Sequence, residues 1–138
     1  MIKNMNADGQ GGAPRGHTTR TLVFDKTGRL YVSIGSNRNV DENSYRSRIR
    51  RFTLDSIPAG GIDFNTGEVF ADGLRNEVGL AFDKFGVLWG VENGADRLQR
   101  EDLGGDIHNE NPAEELNRFP EGDAQKKSYG YPYCWTEF

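Results

Sequence analysis

The sequence predicts an all-β fold of short antiparallel strands, on three observations. Glycine supplies 18 of 138 residues, well above the ~7% of average usage, and the aromatic residues are scattered, which suits strands joined by tight turns and suits a helical bundle poorly. The chain repeats itself: LVFDKTGRLY at 22–31 returns as LAFDKFGVLW at 80–89, 58 positions on. Both copies place an Asp-Lys-x-Gly turn between two apolar runs, the signature of a tight hairpin.

Taken in order, the first copy reads as strand, turn and returning strand. Gly28 supplies the positive φ that the turn requires, as Gly86 does in the second copy. The polar stretch 37–46 is an insert between strands. Residues 48–54 (RIRRFTL) and 67–71 (GEVFA) read as further strands, with Asn65-Thr66-Gly67 as the turn joining 62–64 to the latter. Four short strands per repeat describe a propeller blade, and the long insert accounts for a period above the usual ~40–50 residues. Near 111–117 the string Asn-Pro-Ala-Glu-Glu-Leu predicts one short helix, with Asn111 as N-cap, Pro112 at the first position and Glu114 closing a capping box.

The fold class expected is therefore a partial β-propeller of about two four-stranded blades. At this period 138 residues hold about 2.4 blades, and a closed ring needs at least ~4. The expectation is a piece of a longer protein: residues 1–16 a disordered or incomplete N-terminal segment, residues 17–138 the partial propeller, with missing blades as its first partner.

The formal net charge is −4, so no basic field draws nucleic acid or anionic lipid. The arginines at 46, 48, 50 and 51 lie close to Asp41 and Glu42, and read as a salt-bridged strand face. No apolar run approaches the ~20 residues of a membrane span. The N-terminus has no apolar signal-peptide core, so the signal of a secreted parent is expected upstream. The one cysteine, Cys134, excludes an internal disulfide and reads as a packed small residue.

The repeat also places candidate site residues. His17 and Arg75 each precede their repeat unit by five positions, so they are equivalent positions on neighbouring blades. His17, Arg75 and Asn76 should converge on one mouth of the channel, beside the loops 35–37 and 93–95. Histidine is the side chain that titrates near neutrality and serves as a proton acceptor. Arginine offers a planar fork for carboxylates. The string Glu92-Asn93-Gly94-Ala95-Asp96 is rich in oxygen donors of the kind Ca²⁺ takes, though without EF-hand spacing. His108, beside Asp106, reads as a solvated loop histidine.

At these residues the sequence resembles the soluble quinoprotein glucose/sorbosone dehydrogenases, six-bladed propellers that use pyrroloquinoline quinone (PQQ). The resemblance rests on GHTTRTLVFDKTGRLYVSIGS, GLRNEVGLAF, ENGAD, and EELN with a later YGYP. The GGDIHNENPAEELN variant is most similar to fungal members. The resemblance implies a quinoprotein oxidoreductase acting on an aldose or pyranose sugar, with an external electron acceptor. By position it implies His17 as general base, Arg75 and Asn76 as PQQ-holding residues, the carbonyls of Gly94 and Ala95 as Ca²⁺ ligands, and Glu114 in support of catalysis. Gly16 and Ala95 depart from the Asp and Pro that some members carry there. Two other readings stand beside it: a Ca²⁺-dependent propeller hydrolase of lactonase type, using Glu92 and Asn93, and a non-catalytic binding propeller.

Overall fold

The computed structural model describes residues 2–6, 12–43, 45–109, 114–122 and 128–136. Its strands, in chain order, are β1 (Ile2–Lys3), β2 (Leu22–Phe24), β3 (Leu30–Ile34), β4 (Arg48–Phe52), β5 (Ile62–Asp63), β6 (Glu68–Asp72), β7 (Glu77–Phe82), β8 (Leu88–Glu92), β9 (Gln99–Arg100), β10 (Gly105–Asp106) and β11 (Glu115–Phe119). One antiparallel sheet has the order β2-β3-β4-β6, and a second has the order β7-β8-β11. These are two neighbouring blades of a partial propeller, the second with three strands among the described residues.

The repeated hairpins are built alike, down to single atoms. Asp25 Oδ1 accepts from the amides of Thr27 and Arg29, both at 2.9 Å. Asp83 Oδ1 accepts from Phe85 at 2.8 Å and Val87 at 2.9 Å. Gly28 and Gly86 turn with φ of 85° and 81°, where a Cβ would strain the backbone.

Strand alternation then sorts side chains to two faces. Tyr31, Ile49, Phe70, Ala71 and Leu74 meet Leu88 and Phe119 of the second blade in one buried cluster, with Val23, Leu80 and Phe82 packed against it. Tyr31 sets its ring edge-to-face against Phe70 at 4.9 Å and Phe82 at 5.2 Å, so one aromatic joins the blades. The opposite face of the first blade buries Leu30, Val32, Ile34, Phe52 and Phe64. Leu22 and Phe24 on that face are each 57% exposed and line an apolar groove of about 380 Å³. Their repeat equivalents, Leu80 and Phe82, pack onto the first blade. The first blade therefore presents outward the surface that the second presents inward.

The four arginines are buried and spent inside the fold. Arg46 pairs with Asp41 at 2.9 Å, Arg48 with Asp72 at 3.0 Å, and Arg51 with Glu68 at 2.7 Å and Glu121 at 2.6 Å. Arg50 donates to the carbonyls of Asn65 and Gly67.

Three expectations need correction. The helix near 111–117 is a strand over Glu115–Phe119, in register with β8 from Glu115↔Glu92 to Phe119↔Leu88; residues 111–113, with the proposed cap, lie outside the described residues. Asn117 and Phe119 are buried while Leu116 and Arg118 are exposed, a period of two that the open edge of β8 rewards over the local capping signal. The turn expected at 65–67 forms as a short 3-10 turn over Phe64–Thr66, but β5, which it joins to β6, pairs in parallel with β1 instead of completing the blade. Cys134 is exposed, not packed.

Phe82 and Phe24 occupy the same repeat position in opposite surroundings. Phe82→Ala is expected to cost about 2 kcal/mol or more in urea unfolding, and Phe24→Ala to stay within about 0.5 kcal/mol. Equal losses would contradict the blade junction.

Candidate functional site

The two blades are stitched along their inner strands. Thr21 Oγ1 donates to the Val78 carbonyl at 3.0 Å and Ser33 Oγ to the Glu77 carbonyl at 2.9 Å. At the end away from the hairpin turns one backbone bond, from Ser36 to Arg75, crosses between the blades, flanked by one within each blade. The His17 amide donates to the Ser36 carbonyl at 3.0 Å, the Ser36 amide to the Arg75 carbonyl at 2.8 Å, and the Asn93 amide to the Asn76 carbonyl at 3.0 Å. Gly35 lies where these segments meet. A Cβ there would stand 2.7 Å from both His17 Cβ and Asn76 Oδ1, and 3.1 Å from the Arg75 carbonyl. The close approach of two blades requires glycine at this point, and His17, Arg75 and Asn76 converge around it.

The His17 ring is half-buried. Its Nδ1 lies 2.8 Å from Ser36 Oγ and 3.2 Å from the Ser36 carbonyl. Burial and then the positive charge of Arg75 lower its pKa, against smaller opposing effects of Ser36 and Asp96. The imidazole is thus neutral at neutral pH and able to accept a proton.

Arg75 is 3% exposed, and all five of its N–H groups are used within the protein. Nε donates to the Asn39 carbonyl at 3.0 Å. One terminal nitrogen bonds the Asn93 carbonyl at 3.3 Å and the Gly94 carbonyl. The other bonds Asn39 Oδ1 at 2.9 Å and the Asp96 carboxylate at 2.7 Å. Asn39 and Asp96 close the ring between themselves, Asn39 Nδ2 to the Asp96 carbonyl at 2.7 Å and the Asp96 amide to Asn39 Oδ1 at 2.8 Å. Arg75 therefore clamps the loop after β3 to the loop after β8. The Gly94 amide donates to the Glu114 carboxylate, which brings the last of the sequence-predicted residues to the same loop. The carbonyls of Asn93, Gly94 and Ala95, with the carboxylates of Asp96 and Glu114, form an oxygen-rich set whose chemistry suits a hard cation.

A pair of buried carboxyls lies beneath. Asn117 Nδ2 donates to Glu77 Oε1 at 2.8 Å and Glu92 Oε2 at 2.9 Å. The other oxygen of Glu92 accepts the Arg75 amide. Burial raises Glu77 to about 7 and Glu92 to about 8, the latter with help from Glu77. Glu92 thus orients the Arg75 backbone from below and is not part of the oxygen-donor loop where the sequence placed it. His108 is exposed, its Nδ1 accepting the Arg97 amide at 3.0 Å. Among the described residues no cluster of three His, Cys, Asp or Glu side chains could hold a metal. The repeat offset placed Ser36 in the loop 35–37, opposite Gly94, but gave it no role; Asn39 and the Glu77–Asn117 pair escaped the sequence reading.

The profile of the TrAA12-like family matches residues 1–138. The chain is 36% identical over 132 residues to a pyrroloquinoline quinone-dependent pyranose dehydrogenase of Coprinopsis cinerea, covering 87% of this chain and 18% of the relative. It is 37% identical over 133 residues to a pyrroloquinoline quinone-dependent sugar dehydrogenase of Hypocrea jecorina, covering 87% and 30%. Among solved structures, the holo form of the pyranose dehydrogenase PQQ domain from Coprinopsis cinerea superposes with a TM-score of 0.76 at 31% identity, over 88% of this chain and 33% of that one. A calcium structure of a Trichoderma reesei family AA12 enzyme gives 0.75 at 37% identity, over 86% and 32%. The chain thus spans a third or less of the proteins it matches.

The buried carboxyls make stability depend on pH in a stated direction. Their folded pKa values lie above the ordinary 4.5, so between those limits the folded chain holds more protons than the unfolded chain. The contribution of this pair to stability is full below about pH 4.5 and is lost as pH rises to about 7 to 8. Urea midpoints are expected to drop over that window, and Glu77→Gln to flatten the drop. A midpoint that rises with pH, or an unchanged slope in the variant, would contradict the buried pair.

Proposed function

The chain belongs to the TrAA12-like family, and on that premise we propose that it carries two adjacent blades of a PQQ- and Ca²⁺-dependent dehydrogenase acting on an aldose or pyranose sugar. The observation that supports this reading best is the convergence of His17, Asn76 and the Arg75 backbone around Gly35. It puts a neutral base from one blade beside polar groups from the next. Bound PQQ would supply a two-electron acceptor for the sugar carbon, with Ca²⁺ as a Lewis acid.

The chain's own residues then take these roles. His17 accepts the proton of the sugar hydroxyl that is oxidised. Asn76 and Arg75 hold the quinone. Since every Arg75 donor is engaged, a cofactor carboxylate would replace Asp96, the one of its partners whose carboxylate lies largely in solvent, at 60% exposure. The Gly94 and Ala95 carbonyls hold Ca²⁺, and Glu114 supports catalysis by fixing the Gly94 peptide through its amide. The hydrolase alternative needs the Glu92 side chain as a ligand, but that carboxyl is spent on the Arg75 amide and Asn117. An external electron acceptor and the remaining blades complete the proposal.

Equilibrium dialysis of PQQ against the full-length protein, with the remaining blades present, tests it. Binding is expected in the micromolar range with Ca²⁺ and to weaken roughly tenfold or more on chelation. His17→Ala should keep that binding and abolish dye-linked aldose oxidation. Absence of binding at about 100 µM PQQ, or turnover that survives the loss of His17, would overturn the reading.

A further inference from the structure

We propose that Ser36 is the positioning residue of this site, holding His17 as the Nδ1–H tautomer so that Nε2 is the proton-accepting nitrogen. The inference rests on the reading of His17 as base, and it follows from where hydrogens can go. The Ser36 hydroxyl has one hydrogen. The Arg38 carbonyl, 2.7 Å from Ser36 Oγ, is an acceptor only and takes it. Ser36 Oγ then turns a lone pair toward His17 Nδ1 at 2.8 Å, and two facing lone pairs repel. The Ser36 carbonyl, a second pure acceptor, lies 3.2 Å from the same nitrogen. Both neighbours of Nδ1 therefore demand a proton on it, which leaves Nε2 bare in the neutral ring.

The surroundings keep Ser36 in this state. It is fully buried. The Tyr131 hydroxyl, itself in hydrogen-bond reach of Ser36, donates to the Asn39 carbonyl at 3.0 Å and accepts the Asp41 amide at 2.6 Å, so its own hydrogen is committed away from Ser36. The Ser36 backbone is fixed from both sides, by the His17 amide on its carbonyl and by the Arg75 carbonyl on its amide. One residue thus sets both the ring's tautomer and the distance between the blades.

The chain contains a built-in reference. It has two histidines, and the other, His108, accepts the Arg97 amide on Nδ1 at 3.0 Å. A backbone amide can only donate, so His108 carries its proton on Nε2. The two rings are of opposite tautomer.

Long-range ¹H–¹⁵N correlation of the imidazole nitrogens at about pH 8 reads this directly, with His108→Gln giving the assignment. The wild-type chain is expected to show protonated Nδ1 at His17 and protonated Nε2 at His108. Ser36→Ala, which keeps only the longer contact from Nδ1 to the residue 36 carbonyl, should admit a share of the Nε2–H form at His17 and leave His108 unchanged, and Ser36→Thr should restore the wild-type pattern. Where dye-linked turnover is measurable, Ser36→Ala should lower kcat by roughly 10- to 100-fold with PQQ binding retained. Protonated Nε2 at His17 in the wild-type chain, or an unchanged tautomer in Ser36→Ala, would overturn the proposal. The spectra need neither quinone nor sugar. Expected tautomers beside a full-length protein that binds no PQQ would refute the functional reading and leave the role of Ser36 standing.

Discussion

The hydrogen bond from the Ser36 amide to the Arg75 carbonyl, 2.8 Å long, joins the exit loop of one blade to the segment that leads into β7 of the next, and the site is assembled around it. It forms because Gly35, just before it, has no side chain to hold the two backbones apart. A blade edge otherwise exposes unpaired amides and carbonyls, which are costly to bury without partners. Here the edges of two successive blades satisfy one another, so the residues flanking the bond are fixed relative to each other. His17 on one side and Asn76 on the other owe their proximity to that constraint.

Packing enforces the same relation from farther away. Tyr31 stands between Phe70 of its own blade and Phe82 of the next, and Arg51 covers both Tyr31 and Phe70 with its guanidinium. A shift of the second blade would break aromatic contacts before it moved a loop. Arg75 adds a polar lock at the rim, with every donor bound to the loops after β3 and β8. The mouth is therefore preorganised by three kinds of contact: backbone pairing, aromatic packing and a saturated guanidinium. Such a frame suits chemistry that depends on fixed geometry.

The sequence carried the blades plainly because their signals are local. Asp25 and Asp83 each tie off a turn that glycine alone relaxes, and a 58-residue offset maps one hairpin onto the other. That offset sufficed to bring His17 and Arg75 to neighbouring positions. What stayed hidden depends on contacts distant in sequence. The partners of Arg75 are mostly backbone carbonyls, which have no letter in the sequence. Ser36 is an ordinary loop serine until the Arg38 carbonyl claims its hydrogen. The cap signal near 111–117 is real as a local preference, yet the open edge of β8 draws residues 115–119 into a strand. Glu92 sits in a string that reads as metal ligands, and only the position of Asn117 on β11 shows its carboxyl bonded elsewhere.

The joint assembly of one site from two blades can be tested by mapping backbone amide shifts as PQQ and Ca²⁺ are added to the full-length protein. The amides of Ser36, Asn76, Asn93 and Gly94 are expected to move together, with a common midpoint, while those of Gly28 and Gly86 at the far ends of the hairpins stay in place. Shifts confined to one blade, or gathered at the hairpin turns, would contradict a shared mouth.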